Sequence, residues 1–334
     1  MRRFGFFFLF FFVIGLSLVL VSCSSDKKKE RPLGKVQSEP YELLLVADKE
    51  WLNTSAGQAL LVVLESPIQG LPQPESHFRL TKINPSALDG IFRFYGNILE
   101  VNIGRQYPEA RLAMRRDVYC RPQTVLYLEA PDDESFVQLI RNQAESVLSL
   151  FDEREFTRER SYLSGTYSGT LMRQAQKQFG VSINAPKDLD DIKEGKDFFW
   201  ASTSKEEFRL NICMYSLPMR EVTESNFVAM RDSVMQINIP GGKEGQWMET
   251  DSRSVLFKQR MLPDKKTSVL EVRGLWDMRH DAMGGPFVSY VMKDSVKNRI
   301  LVSEGFIFAP QKNKRAMIRE LEAALQTITL NSGL

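Results

Sequence analysis

Histidine is almost missing from this chain: only His77 and His280 occur in 334 residues. Any Ser-His-Asp or Cys-His mechanism must therefore use one of those two. No Gly-x-Ser-x-Gly elbow surrounds a serine, and His77 stands before Phe78 in a Pro-rich stretch without a paired motif. Hydrolysis by a nucleophile and a histidine base is disfavoured on those grounds. Charge of one sign is also scarce, with 44 basic and 42 acidic side chains and no long basic block. Without an electrostatic footprint, nucleic acid is not an expected partner. The run Pro240-Gly241-Gly242-Lys243-Glu244-Gly245 lacks the Gly-Lys-Ser/Thr ending of a phosphate loop. Asp188, Asp190 and Asp191 lack the glycine and distal glutamate of a calcium loop. No cofactor is expected.

What is present begins with Arg2 and Arg3, followed by eighteen residues, Phe4 to Val21, without a charge. That is the layout of an export signal. A membrane span takes roughly 17–25 apolar residues, so an uncleaved helix is the competing reading. The run ends Leu20-Val21-Ser22-Cys23 and passes at once into polar sequence. Those four residues resemble a bacterial lipoprotein signal, in which an aliphatic, a variable and a small residue precede the modified cysteine. The resemblance implies cleavage after residue 22 and acylation of Cys23, with membrane lipid as the partner. Three acyl chains on one residue exceed the two signals that stable anchoring requires. Without residues 1–22 the chain carries 42 basic and 42 acidic side chains.

Residues 23–40 are polar and without hydrophobic period, which reads as a lipidated tether. Its coil reach is on the order of 20–25 Å. Lys27-Lys28-Lys29 would add about 1 kcal/mol each towards anionic headgroups, or simply stay solvated. In lipoproteins of this kind acidic residues just after the cysteine favour surface display. Ser24-Ser25-Asp26 followed by three lysines departs from that pattern, which favours an outer-membrane lipoprotein facing the periplasm.

Folded sequence starts at Tyr41. Apolar runs or alternation predict strands at Glu42–Ala47, Phe78–Ile83, Ile98–Ile103 and Thr124–Glu129. A helix capped by Thr54 is expected before Pro67, and a short helix over Ala110–Tyr119. Pro131-Asp132-Asp133 opens a long helix carrying Phe136, Leu139, Ile140, Ala144, Val147, Leu148 and Phe151. Gly165 and Gly169 then suggest a boundary, giving subdomains 41–170 and 171–334. The second is expected to hold strands at Val181–Asn184, Phe198–Thr203, Phe208–Tyr215, Gln246–Glu249, Ser254–Gln259, Ser268–Trp276, Pro286–Lys293 and Ile300–Phe308. A helix after Thr223 and a terminal helix complete it. The class is α+β: antiparallel sheets with helices packed on one face, in two consecutive subdomains.

Gly284-Gly285-Pro286-Phe287-Val288-Ser289-Tyr290, Gly305-Phe306-Ile307-Phe308-Ala309-Pro310 and the terminal helix resemble uncharacterised Bacteroides-type lipoproteins over the whole mature chain. That family imports a location and no chemistry. The second half alone, by element order, resembles the fold shared by photosystem oxygen-evolving subunit P and the Ran-binding Mog proteins, which does not fix function.

Four groups of residues are candidate sites. Asp277, His280 and Asp281 have i, i+3, i+4 spacing, so one helical turn would aim two carboxylates and an imidazole at a divalent metal. The glycines that follow argue for a loop instead. Cys120 and Cys213 would be free to pair in an oxidising envelope, although both lie in or beside apolar runs where free thiols are common. Lys312, Lys314 and Arg315 open the terminal helix, where positive charge opposes the macrodipole and an acidic partner would be favoured. Trp51, Trp200, Trp247 and Trp276 serve either as core or as sugar-stacking platforms. The expected function is a non-enzymatic binding or assembly role in the envelope, with an envelope protein or glycan as partner. The alternative is an envelope hydrolase working through paired carboxylates.

Overall fold

The computed structural model describes residues 33–205 and 207–330. The apolar run, Cys23 and the three lysines lie outside the described residues. Among the described residues no helix is long and apolar enough to cross a membrane. From Gly34 onward the chain forms one compact unit.

Its first sheet contains β1 (Glu42–Val46), β2 (Arg79–Ile83), β3 (Asn97–Ile103), β4 (Arg111–Arg116) and β5 (Thr124–Ala130), in the order β2-β1-β3-β5-β4. β2, β1, β3 and β5 run parallel, and only β4 is antiparallel. The expected antiparallel pairing holds for the larger, seven-stranded sheet and not for this one. The continuous run Leu43-Leu44-Leu45 explains why, since all three are fully buried and a strand buried on both faces is what parallel pairing requires. Helix α1 (Ser55–Leu64) covers one face, started by Thr54 Oγ1, which accepts from Gly57 N at 3.2 Å. The stretch Ala110–Tyr119, expected as a helix, contains β4. Its helix-forming residues are overruled by pairing with β5, where Arg111 stands opposite Glu129 and bonds it at 2.6 Å.

Helix α2 (Asp133–Gly165) starts at Asp132, whose Oδ1 accepts from Ser135 N at 2.8 Å. Phe136, Ile140, Val147 and Phe151 pack into the core of the first sheet, while Phe156 and Leu163 pack into the next. One helix thus serves two cores. Helix α3 (Gly169–Phe179) follows, capped by Ser168 and ended by Gly180 in the left-handed region at φ 66°.

The second sheet holds seven strands: β6 (Asp191–Gly195), β7 (Phe198–Ser202), β8 (Arg209–Pro218), β9 (Met248–Met261), β10 (Ser268–Met278), β11 (Gly284–Asp294) and β12 (Arg299–Phe308). Their order is β9-β10-β11-β12-β8-β7-β6, antiparallel throughout. The mixed α+β class holds. The two strands expected within 246–259 are one strand, β9, with a register shift between Asp251 and Leu256. Helices cover both faces rather than one. α4 (Glu224–Asn238) packs Phe227, Met230 and Met235 beneath one face, and α3 with α5 (Arg315–Leu325) packs Ile318, Leu321 and Leu325 against the other. Each such side chain contributes about 1.5–3 kcal/mol on burial. The Gly284-Gly285 pair has a steric reason, because a Cβ on Gly285 would run into the carbonyl oxygen of Ile307.

Candidate functional site

A groove of about 1200 Å³ opens between α1 and α2 on one side and β9 on the other, with α5 at its floor. Val62, Leu148, Leu256 and Met261 supply apolar lining, and Val62, Leu256 and Met261 are exposed. Six consecutive residues of β9, Leu256 to Met261, line it.

The floor carries a chain of alternating charges. His77 Nδ1 lies 2.8 Å from Asp152 Oδ2, which accepts from Arg319 Nη2 at 2.9 Å. The same guanidinium reaches Glu322 Oε2 at 3.3 Å through Nη1. Glu322 Oε1 pairs with Arg273 Nη2 at 2.5 Å, and Arg273 Nε donates to Glu271 Oε1 at 2.8 Å. Arg260 Nε closes the series 2.5 Å from Glu271 Oε2. Arg319 Nη2 also lies 3.0 Å from His77 Nδ1, so that ring nitrogen faces either an acceptor or a donor according to its tautomer.

Burial alone would raise Asp152 and Glu322, but the arginines outweigh it. Arg319, with His77, holds Asp152 below the usual carboxylate range, and Arg273, Arg319 and Arg260 do the same for Glu322. Arg273 in turn is raised by Glu322 and Glu271 against the cost of its own burial. The network holds carboxylates ionised and engaged, which suits positioning and not proton transfer.

A second ionic cluster lies inside the sheet. Arg231 of α4 donates from Nε and Nη2 to Glu304 of β12 at 2.9 and 2.7 Å, with both side chains wholly buried. Ser289 Oγ donates to Glu304 at 2.5 Å, and the guanidinium stacks on Phe287 at 4.2 Å. This cluster fastens α4 to the sheet and lines neither cavity.

A smaller pocket of about 330 Å³ gathers Gln73, Asp277, Asp281, Gly285, Phe308 and Lys314. It brings together two of the three residues expected to hold a metal, but not as a ligand set. Asp277 ends β10, and His280 occupies the left-handed region at φ 58° in the turn before β11, so no helical face forms. Asp281 is used by the turn itself: Oδ1 accepts from Ala282 N at 2.7 Å and Oδ2 from Gln246 Nε2 at 3.3 Å. Among the described residues no cluster of three His, Cys, Asp or Glu is placed to hold a metal.

The other sequence candidates resolve as follows. Cys120 and Cys213 are both free and buried, not bonded to one another. Cys120 faces the Tyr95 carbonyl at 3.8 Å, while Cys213 packs among Phe198, Tyr215 and Phe306. Lys314 is buried, its Nζ donating to Gln73 Oε1 at 3.0 Å, so it offers no partner surface. The acid it needs is internal. Glu75 accepts from the backbone N of Lys314 at 2.6 Å and of Arg315 at 2.9 Å, capping α5. Lys312 pairs with Glu207, and Arg315 donates to the Ser76 carbonyl at 3.0 Å. Trp276 is core, Trp51 donates Nε1–H to Asp133 at 2.8 Å, and Trp200 and Trp247 are covered by Lys193 and Arg279.

Sequence reading missed the groove because its charges are scattered: His77 and Asp152 are 75 positions apart, and Asp152 and Arg319 167 apart. One signal existed. Glu322 falls four residues after Ile318 and three before Leu325, on the apolar stripe of α5, where a charge demands a buried partner.

No curated protein matches the chain. Residues 37–164 match a family model described as a domain of unknown function, DUF8532. Residues 168–327 match a second, likewise described as a domain of unknown function, DUF4837. Two domains of unknown function therefore cover the chain, consistent with an uncharacterised family.

Proposed function

We propose that this chain is a lipoprotein tethered to the outer membrane through Cys23, facing the periplasm, with a non-enzymatic binding or assembly role. Its binding surface is the groove between α1, α2 and β9. The observation that carries the reading is the pairing of an open, largely apolar groove with a floor whose carboxylates are each held by arginine. Asp152 and Glu322 lie below the usual range, the opposite of what a general acid needs. A pocket with exposed apolar walls and locked polar groups favours recognition over turnover.

The hydrolase alternative has one supporting observation. Burial, and then Glu159, push Glu320 up to about 7, and burial raises Glu159 as well. A raised carboxylate pair is what acid catalysis uses. Neither residue lines the groove or the smaller pocket, so the binding reading is preferred.

Site-specific photocrosslinking in the anchored protein tests it. A crosslinker at Val62 or Leu256 should capture a reproducible envelope component that one at Val296, exposed in the turn between β11 and β12, does not. Equal capture at all three positions, or none, would refute a groove-borne binding role. Intact-mass measurement of the membrane fraction tests the anchor, and an unmodified Met1 terminus would sink it.

A further inference from the structure

We infer that the groove binds an extended, uncharged polypeptide segment by strand addition, the segment pairing with the free edge of β9 as an eighth strand. This deepens the binding role proposed above and rests on it.

β9 is the outermost strand, and among the described residues no strand pairs with its outer side. Leu256, Lys258 and Arg260 stand opposite Arg273, Glu271 and Val269, and so share the α5 face, whereas Phe257 contacts Phe227 of α4 on the other face. Consecutive residues of β9, from Leu256 to Met261, nevertheless line one groove whichever face their side chains take. A groove touching every residue in that run follows the strand's rim, where the N–H and C=O groups turned away from β10 lie. Such a rim is the template that strand addition uses, with main-chain bonds giving affinity and alternate side chains giving selectivity.

Natural edges are usually blunted by bulges, charges or cover. The bulge of β9 lies between Asp251 and Leu256, and from Leu256 to Met261 the register is regular. Leu256 and Met261 stay 41% and 53% exposed, and Val62 in the same lining is 73% exposed. One device remains. Lys258 Nζ reaches across the groove to Glu145 Oε1 of α2 at 3.0 Å. Both side chains are exposed, so the pair opens readily and acts as a latch over the rim.

The occupant follows from the walls. Lys258, Arg260, Arg273 and Arg319 are balanced by Glu145, Asp152, Glu153 and Glu271, so the lining attracts neither sign. An uncharged segment with alternating apolar side chains fits. α2 comes within one ion pair of β9, which crowds the sheet of a second copy more than a single strand.

The probe is a fluorescent, end-blocked heptapeptide of alternating threonine and valine, titrated into the tethered chain lacking only its lipid. Saturable binding at about 10–100 µM is expected, with new amide protection confined to residues 256–261. N-methylation of alternate peptide nitrogens should weaken binding at least about tenfold, because it removes main-chain donors and leaves the side chains. Lys258→Ala should tighten binding by about two- to fivefold. No binding up to about 1 mM, or protection elsewhere, overturns the proposal. Equal binding of the N-methylated peptide, abolished by Val62→Glu, also overturns strand addition while leaving the groove as a binding surface. Concentration-dependent dimerisation that blocks the peptide would overturn it in favour of edge pairing between copies.

Discussion

Glu322 of α5 and Arg273 of β10 meet at 2.5 Å, and the carboxylate has no solvent exposure. The ion pair joins a helix to a sheet through the floor of the groove. Removing Glu322 leaves Arg273 with Glu271 alone and takes from buried Arg319 one of its two carboxylates. Glu322→Ala should cost about 3–5 kcal/mol, read as a lower denaturation midpoint. Replacing both Arg273 and Glu322 by Met should cost less than the sum of the two single replacements, a non-additive double-mutant cycle. An additive cycle would show that the pair carries no mutual energy.

Glu75 is the cap of α5, although 239 residues separate it from Lys314. Glu75→Ala leaves two backbone donors unmet and removes the charge that offsets Lys314 and Arg315. A loss of about 1–2 kcal/mol is expected, with faster hydrogen exchange at the first turn of α5. Unchanged exchange there would contradict the capping role.

The pair Glu159 and Glu320 sets a pH dependence of known sign. Glu320 titrates at about 7 when folded, above its ordinary value of 4.5. The folded state therefore holds more protons between those values, and stability falls as pH rises from about 4.5 to 7. Glu320→Gln should remove that slope and stabilise the protein by about 1–3 kcal/mol at pH 8 relative to pH 4.5. A wild-type midpoint that is flat over this interval would argue against the assignment.

Asp152 and Glu322 act with the opposite sign. Their folded values lie below the ordinary range, so their contribution is complete near neutrality and is lost in acid as each protonates. Asp152→Asn should therefore destabilise at pH 7 and matter little near pH 2. Equal destabilisation at both would point to packing and not charge.

Cys120 and Cys213 should resist a thiol reagent in the folded state and react in denaturant. Burial pushes Cys120 up to about 11 and raises Cys213 well above its usual value, so neither supplies thiolate at neutral pH. Two thiols that appear only on unfolding would match; thiols that appear only after reduction would not.

Local order was legible in the sequence. The caps at Thr54 and Asp132 and the stripes of α2 and α5 mark their elements because those signals are local. β4 was misread since Arg-Leu-Ala-Met-Arg-Arg favours a helix by itself and is made a strand only by β5. Burial of β1 was visible in Leu43-Leu44-Leu45, a run with no polar alternation, but its parallel pairing was not read from it. The groove was not visible, because the ends of its ionic chain, His77 and Arg260, are brought together by folding alone.

Because α2 lends Phe156 and Leu163 to the second core after lending Phe136 to the first, a gene cut between Gly165 and Gly169 would not yield two working halves. The downstream fragment would inherit an open apolar trough where the end of α2 belongs, and would be an aggregation hazard. The upstream fragment would carry an orphaned helical tail. Any expression strategy that respects the molecule must keep α2 with both of its neighbours.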